Sequence, residues 1–132
     1  MSTRFTEKLF LIFPEVQSRA SDDDKNLPHV LMAYLVDFLE SCSGSGLPED
    51  VAKRLVEFNF WCRAQPRGES AKDDIYTLLV VGLYEKILKK DDLYPLIVKL
   101  VSREQFLDSK EYLLRWIDER QYSRALGLYS AD

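Results

Sequence analysis

Residues that commonly carry catalysis or hold a metal are scarce in this chain. It has one histidine, His29, and two cysteines, Cys42 and Cys62. No Cys-x-x-Cys pair or Cys/His cluster accompanies them, which argues against a zinc site and favours free, buried thiols over a disulfide. His29 follows Pro28 at a predicted helix start, beside neither a cysteine nor a nucleophilic serine, so we interpret it as a surface or capping residue. We expect no catalytic residue, metal or cofactor.

Several sequence patterns are also missing. The one glycine-rich connector, residues 43–46, has neither the lysine nor the preceding strand of a phosphate-binding loop. No segment alternates polar and apolar residues for long enough to predict a strand, and there is no Asn-Gly or Asp-Gly hairpin turn. No apolar run reaches the roughly 20 residues of a membrane-spanning helix. The first residues do not resemble an export signal, so we expect a cytoplasmic protein.

Positive charge is in deficit. The chain has 18 lysines and arginines against 22 aspartates and glutamates, which gives a net charge of −4. A surface that binds nucleic acid or an anionic membrane needs clustered lysine and arginine, so both of these functions are disfavoured. If charge selects a partner, that partner is expected to be basic.

Apolar residues, by contrast, are plentiful. They make up 46% of the 132 residues, and 12% of the residues are aromatic, which is enough for one continuous core. We predict a single domain over residues 1–132, with a tail after about residue 121 that docks loosely as a short turn or frays. The sequence leaves the oligomeric state open and favours a monomer.

The strongest structural pattern lies at residues 73–89. When this segment is wound as a helix its apolar residues fall on every side, which predicts a central, buried helix. Gly82 in its middle costs about 1 kcal/mol relative to alanine. We therefore expect a neighbouring helix to approach closely at this glycine.

Around the central helix the sequence predicts an all-α fold of six or seven helices, as a compact bundle or a short stack of hairpins. Helices are expected at residues 3–13, 14–19, 28–43 and 48–64, at a segment opened by Pro95, and in a last long helix capped by Ser102 and Gln105. The predicted core positions on these helices are Phe5, Leu9, Ile12, Phe13, Leu31, Leu35, Phe38, Leu39, Cys42, Val51, Leu55, Phe58, Cys62, Leu96, Ile97, Leu100, Val101, Phe106, Leu113, Leu114 and Ile117.

Three groups of adjacent acidic residues need an explanation. They are residues 22–24, 73–74 and 91–92, and each lies just before or inside a predicted first helical turn. Carboxylates there cap the helix and complement its dipole, so we interpret all three groups as helix caps and not as acid/base pairs.

The remaining candidate is a protein-binding surface on the helices at 28–43 and 48–64. If these helices are antiparallel neighbours, their outer residues form one acidic and aromatic patch of the kind that anchors tight interfaces. The alternative is an ordinary solvated face, with Phe60 and Trp61 buried against other helices. The predicted partner-binding residues are Tyr34, Asp37, Glu40, Glu49, Asp50, Glu57, Phe60 and Trp61.

Three segments carry a resemblance to a known kind of protein: residues 9–15 (LFLIFPE), 51–58 (VAKRLVEF) and 78–85 (LLVVGLYE). Over most of residues 5–100 the chain resembles a family of small, all-helical bacterial domains, similar to the immunity proteins of polymorphic toxin and contact-dependent inhibition systems. The resemblance implies a cytoplasmic, non-enzymatic protein that binds and neutralises a cognate toxin. It transfers no functional residue to this chain.

The functional hypothesis is therefore an immunity protein that occludes the active site or substrate groove of a toxin. A basic nuclease is the toxin that fits best, because it must attract phosphate and an acidic partner can occupy the same field. The alternative is a helical adaptor or scaffold that binds a non-toxin protein. An enzyme would require a deep pocket with perturbed titratable groups around His29 or the acidic residues.

Overall fold

The computed structural model describes residues 3–44, 46–68 and 74–129. Within these residues the chain is all-helical and contains no strand, which confirms the predicted fold class. The helices are α1 (Thr3–Ile12), α2 (Pro14–Arg19), α3 (Pro28–Cys42), α4 (Glu49–Arg63), α5 (Ile75–Leu79, continuing through Val80–Tyr84 and Glu85–Leu88), α6 (Ile97–Leu100), α7 (Arg103–Asp108), α8 (Lys110–Leu113) and α9 (Glu119–Tyr129). Single turns of 3₁₀ helix cover Asp22–Asp24 and Tyr94–Leu96.

The break between α1 and α2 falls at Pro14, as predicted. Phe13 has a non-helical backbone (φ −124°, ψ 75°), and Pro14 then occupies the first turn of α2, where its missing N–H costs nothing. The predicted core face of α1 is buried. Phe13 and Phe58 make an edge-to-face contact with 6.2 Å between ring centroids, which joins this corner to α4.

Helix α5 is the buried centre that the sequence predicts. An alanine Cβ at Gly82 would lie 3.0 Å from Cβ of Met32, which confirms the close approach of a second helix, α3. The middle of α5, Val80–Tyr84, is π-helical. Apolar periodicity does not reveal this wider turn, because the segment is apolar on every side and no face has to be kept in register.

Helix α3 is more deeply buried than an amphipathic surface helix. Its predicted core residues Leu31, Leu35, Phe38 and Leu39 are buried, but so are Met32 and Val36. The physical reason is that α3 packs against α2 and against the π-helical part of α5 at the same time. Cys42, predicted to be in the core, is only half-buried.

The C-terminal third differs most from the prediction. The predicted last long helix is divided at Ser109 into α7 and α8, and Leu114 is half-buried, outside the core to which we assigned it. The chain beyond it forms α9, whose Tyr122 and Tyr129 stack on Phe106 at 4.7 and 5.4 Å. Among the described residues the helices outnumber the predicted six or seven because the predicted last helix is divided and because the chain after it forms α9. Tyr122, Ala125 and Tyr129 of α9 are buried.

The acidic pairs have different roles. Asp74 caps α5 by accepting a hydrogen bond from the Thr77 N–H (3.2 Å), as predicted, whereas Asp73 lies outside the described residues. The interpretation of residues 91–92 as the start of a helix is wrong. They lie in a turn, and Asp91 pairs instead with Arg124 of α9 at 2.7 Å. Residues 22–24 form their own 3₁₀ turn ahead of α3.

Candidate protein-binding surface

The eight predicted partner-binding residues divide into two groups with different neighbours. Helix α3, which carries the first three of them, packs chiefly against α2 and α5. Helix α4, which carries the other five, packs against α1, α5 and α6. The two groups therefore lie against different elements, and the second contains Phe60, which is largely exposed.

In the first group the polar atoms are largely engaged within the protein. The Tyr34 hydroxyl donates a hydrogen bond to the Asp24 carboxylate at 2.7 Å, and Tyr34 is half-buried. This bond, reinforced by burial and by the charges of Asp24 and Asp37, raises the pKa of Tyr34. Glu40 pairs with Lys90 at 3.0 Å. Asp37 is exposed, so this group offers a solvated acidic cluster around an anchored tyrosine.

The N-terminal half of α4 is tied to α1 and α2. Arg54 forms two hydrogen bonds to the Glu15 carboxylate, at 2.8 and 2.9 Å, and a third to the Ile12 carbonyl at 3.1 Å. These bonds lower the pKa of Glu15. Asp50 lies 3.8 Å from Arg54, at the exposed edge of the cluster. Bidentate arginine bonds of this kind fix geometry, so the corner is a rigid support for α4.

Farther along α4, adjacent aromatic residues have different environments. Trp61 is half-buried and stacks on Phe58 with ring centroids 6.5 Å apart. Phe60 is 74% exposed, and Val56, one turn earlier on the same face, is also exposed. The alternative in which Phe60 is buried against another helix is therefore wrong. Glu57 is exposed beside it.

Two clefts adjoin at Val56 along the line where α4 meets α6, and Phe60 lines one of them. Their volumes are about 410 and 450 Å³, and they share Val56 and Lys99. We call the two together the α4–α6 groove. Its lining residues are Glu49, Ala52, Lys53, Val56, Asn59, Phe60, Arg63, Ala64, Lys99, Leu100 and Gln105.

A polar network lies beneath one end of this groove. The Asn59 side-chain amide donates to the Leu100 carbonyl at 2.8 Å and accepts a hydrogen bond from the Tyr84 hydroxyl. Arg63 donates to the same hydroxyl at 3.2 Å, and its guanidinium lies over the Tyr76 ring. Burial raises the pKa of Tyr84 above its ordinary value, so it stays protonated as a donor. Asn59 and Tyr84 are buried polar residues that need hydrogen-bond partners, and they find them in one another and in Leu100. The network therefore connects α4, α5 and α6.

Sequence reasoning missed the groove and its network. Lys99, Leu100 and Gln105 are about 40 residues away from the α4 side chains that they face. One residue in the sequence indicates the network. Asn59 lies between Phe58 and Phe60 at a position where α4 faces the protein interior. A buried amide indicates a hydrogen-bonded contact with another element, but it does not say which one.

The groups usually associated with chemistry are not assembled into a site among the described residues. His29 is exposed, and no group of three or more metal-binding side chains occurs in the part of the chain that the structure describes. Both cysteines are free thiols, and burial raises the pKa of Cys62, which lowers its reactivity. None of the described helices has the length and apolar character needed to cross a membrane.

Comparison with protein-family models, with curated proteins and with solved structures gives no match to this chain. The resemblance to immunity proteins therefore stays a prediction.

Proposed function

We propose that this chain is a protein-binding domain that acts as an immunity protein in the cytoplasm, where it binds a cognate bacterial toxin domain and covers its active site or substrate groove. The observation that carries the proposal is the exposure of Phe60, 74%, on the wall of the α4–α6 groove, on a helix that is rigidly held on its other sides. Full burial of such a side chain contributes about 1.5–3 kcal/mol. Exposed aromatic anchors beside pockets are typical of binding hot spots.

Charge supports the choice of a toxin that attracts nucleic acid. The net charge is −4, and the 3₁₀ turn Asp22–Asp24 and Asp37 place acidic side chains around Tyr34. An acidic protein accelerates its encounter with a basic nuclease, because opposite charges steer diffusion. Once bound, it excludes the nucleic acid from the same surface by its bulk and its charge.

A helical adaptor for a non-toxin partner is the second candidate. An exposed phenylalanine and an apolar groove suit any protein partner equally well, so the same geometry supports it. The two functions differ in the identity of the partner. A toxin gene immediately upstream of the gene for this chain favours the immunity function.

The test is co-purification with the product of the upstream gene, followed by isothermal titration at two salt concentrations. We expect tight binding that weakens with salt, and protection of cells that express the toxin. Phe60→Ala should weaken binding about 30-fold or more, which corresponds to a hot-spot loss of about 2 kcal/mol.

The matched control is Leu27→Ala. Leu27 is also a large exposed apolar residue, but it lies before α3 and lines neither cleft, so its variant should bind as the wild type does. Absence of both binding and protection would remove the immunity function. Equal weakening by both variants would remove Phe60 as the anchor.

A further inference from the structure

The α4–α6 groove has a local charge opposite to that of the whole protein. Lys53 and Arg63 lie on its α4 wall and Lys99 on its α6 wall, whereas Glu49 is its one acidic lining residue among the described residues. Glu49 lies at one end, 3.6 Å from Lys53. The cleft beside Phe60 is lined by Arg63 and Lys99 and by no described carboxylate. The groove is therefore a positive strip on a protein of net charge −4.

Arg63 has donors to offer a ligand. A guanidinium carries five N–H donors. The hydrogen bond from Arg63 to the Tyr84 hydroxyl (3.2 Å) uses one nitrogen of the group and fixes the side chain over the Tyr76 ring. Tyr76 also forms a side-chain hydrogen bond with this guanidinium, and two tyrosine hydroxyls leave part of its five donors for a ligand. A pre-positioned arginine that is half-buried suits a carboxylate better than a mobile lysine does.

The remainder of the groove is apolar and elongated. Val56, Phe60, Ala64 and Leu100 provide its hydrophobic surface. From Ala52 to Ala64 the α4 wall is about 18 Å long at 1.5 Å per residue. That length matches about three turns of a helix laid alongside α4 and α6, the arrangement in which amphipathic helices bind hydrophobic grooves.

We propose that the α4–α6 groove binds an acidic amphipathic helix of the partner protein, with apolar side chains on Val56 and Phe60 and carboxylates between Arg63 and Lys99. This inference deepens the proposed function and rests on it in one respect, that the chain binds a protein. The net charge of this chain predicts a basic partner, whereas the groove itself binds an acidic segment of that partner. The acidic cluster near Tyr34 still steers a partner that is basic overall, whereas the groove selects the segment that docks.

The test is an NMR titration of the ¹⁵N-labelled full chain with two synthetic helical peptides of about four turns. Both peptides carry the same leucine stripe; one has flanking glutamates and the other has lysines at the same positions. The glutamate peptide should shift the amide signals of Val56, Phe60, Lys99 and Gln105 in a saturable way, and the lysine peptide should bind at least about tenfold more weakly.

Charge-reversal variants give the matched comparison. Lys99→Glu should weaken the glutamate peptide about tenfold, because one attractive pair is replaced by a repulsive one. Lys86→Glu makes the same charge change at an exposed lysine of α5 that lines neither cleft, and should leave the affinity unchanged.

Four results with the peptides would overturn the inference. They are no saturable shift with the glutamate peptide at millimolar concentration, equal affinity for the lysine peptide, shifts centred outside the groove, and equal effects of the two variants. An oligothymidylate of twelve residues is the third ligand; if it binds in the groove as tightly as the glutamate peptide, the groove binds nucleic acid and the inference is wrong. None of these measurements uses a toxin, so co-purification with the upstream gene product decides the proposed function separately.

Discussion

Replacing Gly82 by alanine measures how closely α3 and α5 are packed. The new Cβ would lie 3.0 Å from Cβ and 3.1 Å from Cγ of Met32. Carbon atoms prefer separations of about 3.5–4.0 Å, so both contacts are repulsive. Because Cβ of Met32 is bonded to the α3 backbone, a side-chain rotation cannot relieve the closer contact. The two helices have to move apart.

The magnitude follows from two opposing effects. Alanine is favoured over glycine in a helix by about 1 kcal/mol. Forcing an extra methyl group into a filled core costs about 1–3 kcal/mol, and a contact with a backbone-anchored atom belongs in the upper part of that range. We therefore expect Gly82→Ala to lower the free energy of unfolding by about 1–2 kcal/mol.

Urea unfolding followed by circular dichroism at 25 °C provides the assay. With a slope of about 2 kcal/mol/M, the expected loss lowers the urea midpoint by about 0.5–1 M. Gly127→Ala in α9 is the matched control, because a Cβ there meets no atom within 4 Å. That variant should raise the free energy of unfolding by about 0.5–1 kcal/mol. If Gly82→Ala is as stable as the wild type or more stable while the control behaves as expected, the argument from close packing is refuted.

Three further predictions concern polar contacts that stabilise the fold. Asp74 is 2% exposed and is bound by Arg67 at 2.7 Å. Asp74→Asn should therefore lower the free energy of unfolding by about 2 kcal/mol. The pKa of Asp74 is lowered mainly by Arg67. The carboxylate therefore contributes its full stabilisation above about pH 4, and this stabilisation is lost as the pH falls further. The stability of Asp74→Asn should accordingly fall less steeply with acid than that of the wild type. Tyr129→Phe removes a hydroxyl that donates to the Val101 carbonyl at 2.8 Å. This variant should lower the free energy of unfolding, measured by urea denaturation, by about 1 kcal/mol. Burial raises the pKa of Tyr129 to about 12, so the wild type should lose stability between pH 10 and 12 more steeply than this variant does. Ser102→Ala removes a reciprocal capping box and should lower the free energy of unfolding by about 1 kcal/mol, which is measured as a lower melting temperature. An unchanged melting temperature would show that the cap contributes nothing.

Local patterns predicted those features that depend on a few neighbouring residues. Pro14 ends α1 because proline restricts the residue before it, and Ser102 with Gln105 caps α7 because the two side chains reach each other's backbone within one turn. Gly82 indicated a close neighbour because nothing else explains a glycine in a buried helix. For Pro14 and Ser102 the cause and its effect lie within one or two helical turns, whereas Gly82 indicates that a neighbour is close without showing that the neighbour is Met32 of α3.

Features that depend on which elements meet were predicted poorly. Asp91 looks like the start of a helix in sequence, yet it is bound by Arg124, which is 33 residues away. The apolar pattern of α9 looks weak because its buried residues are only two tyrosines and an alanine, and Phe106 provides the surface on which both tyrosines stack. Tertiary contacts override local preference in both places.

The candidate surface shows the same division most clearly. The sequence by itself determined that α4 has a core stripe and that Val56 and Phe60 lie opposite that stripe, because helical periodicity places residues on faces. Only the tertiary structure decided that Trp61 is half-buried while Phe60 is exposed, and that Lys99 of α6 faces Arg63 across a groove. The physical reason is that a face is determined by residues three or four apart, whereas the charge of a groove depends on side chains from two helices that only folding brings together.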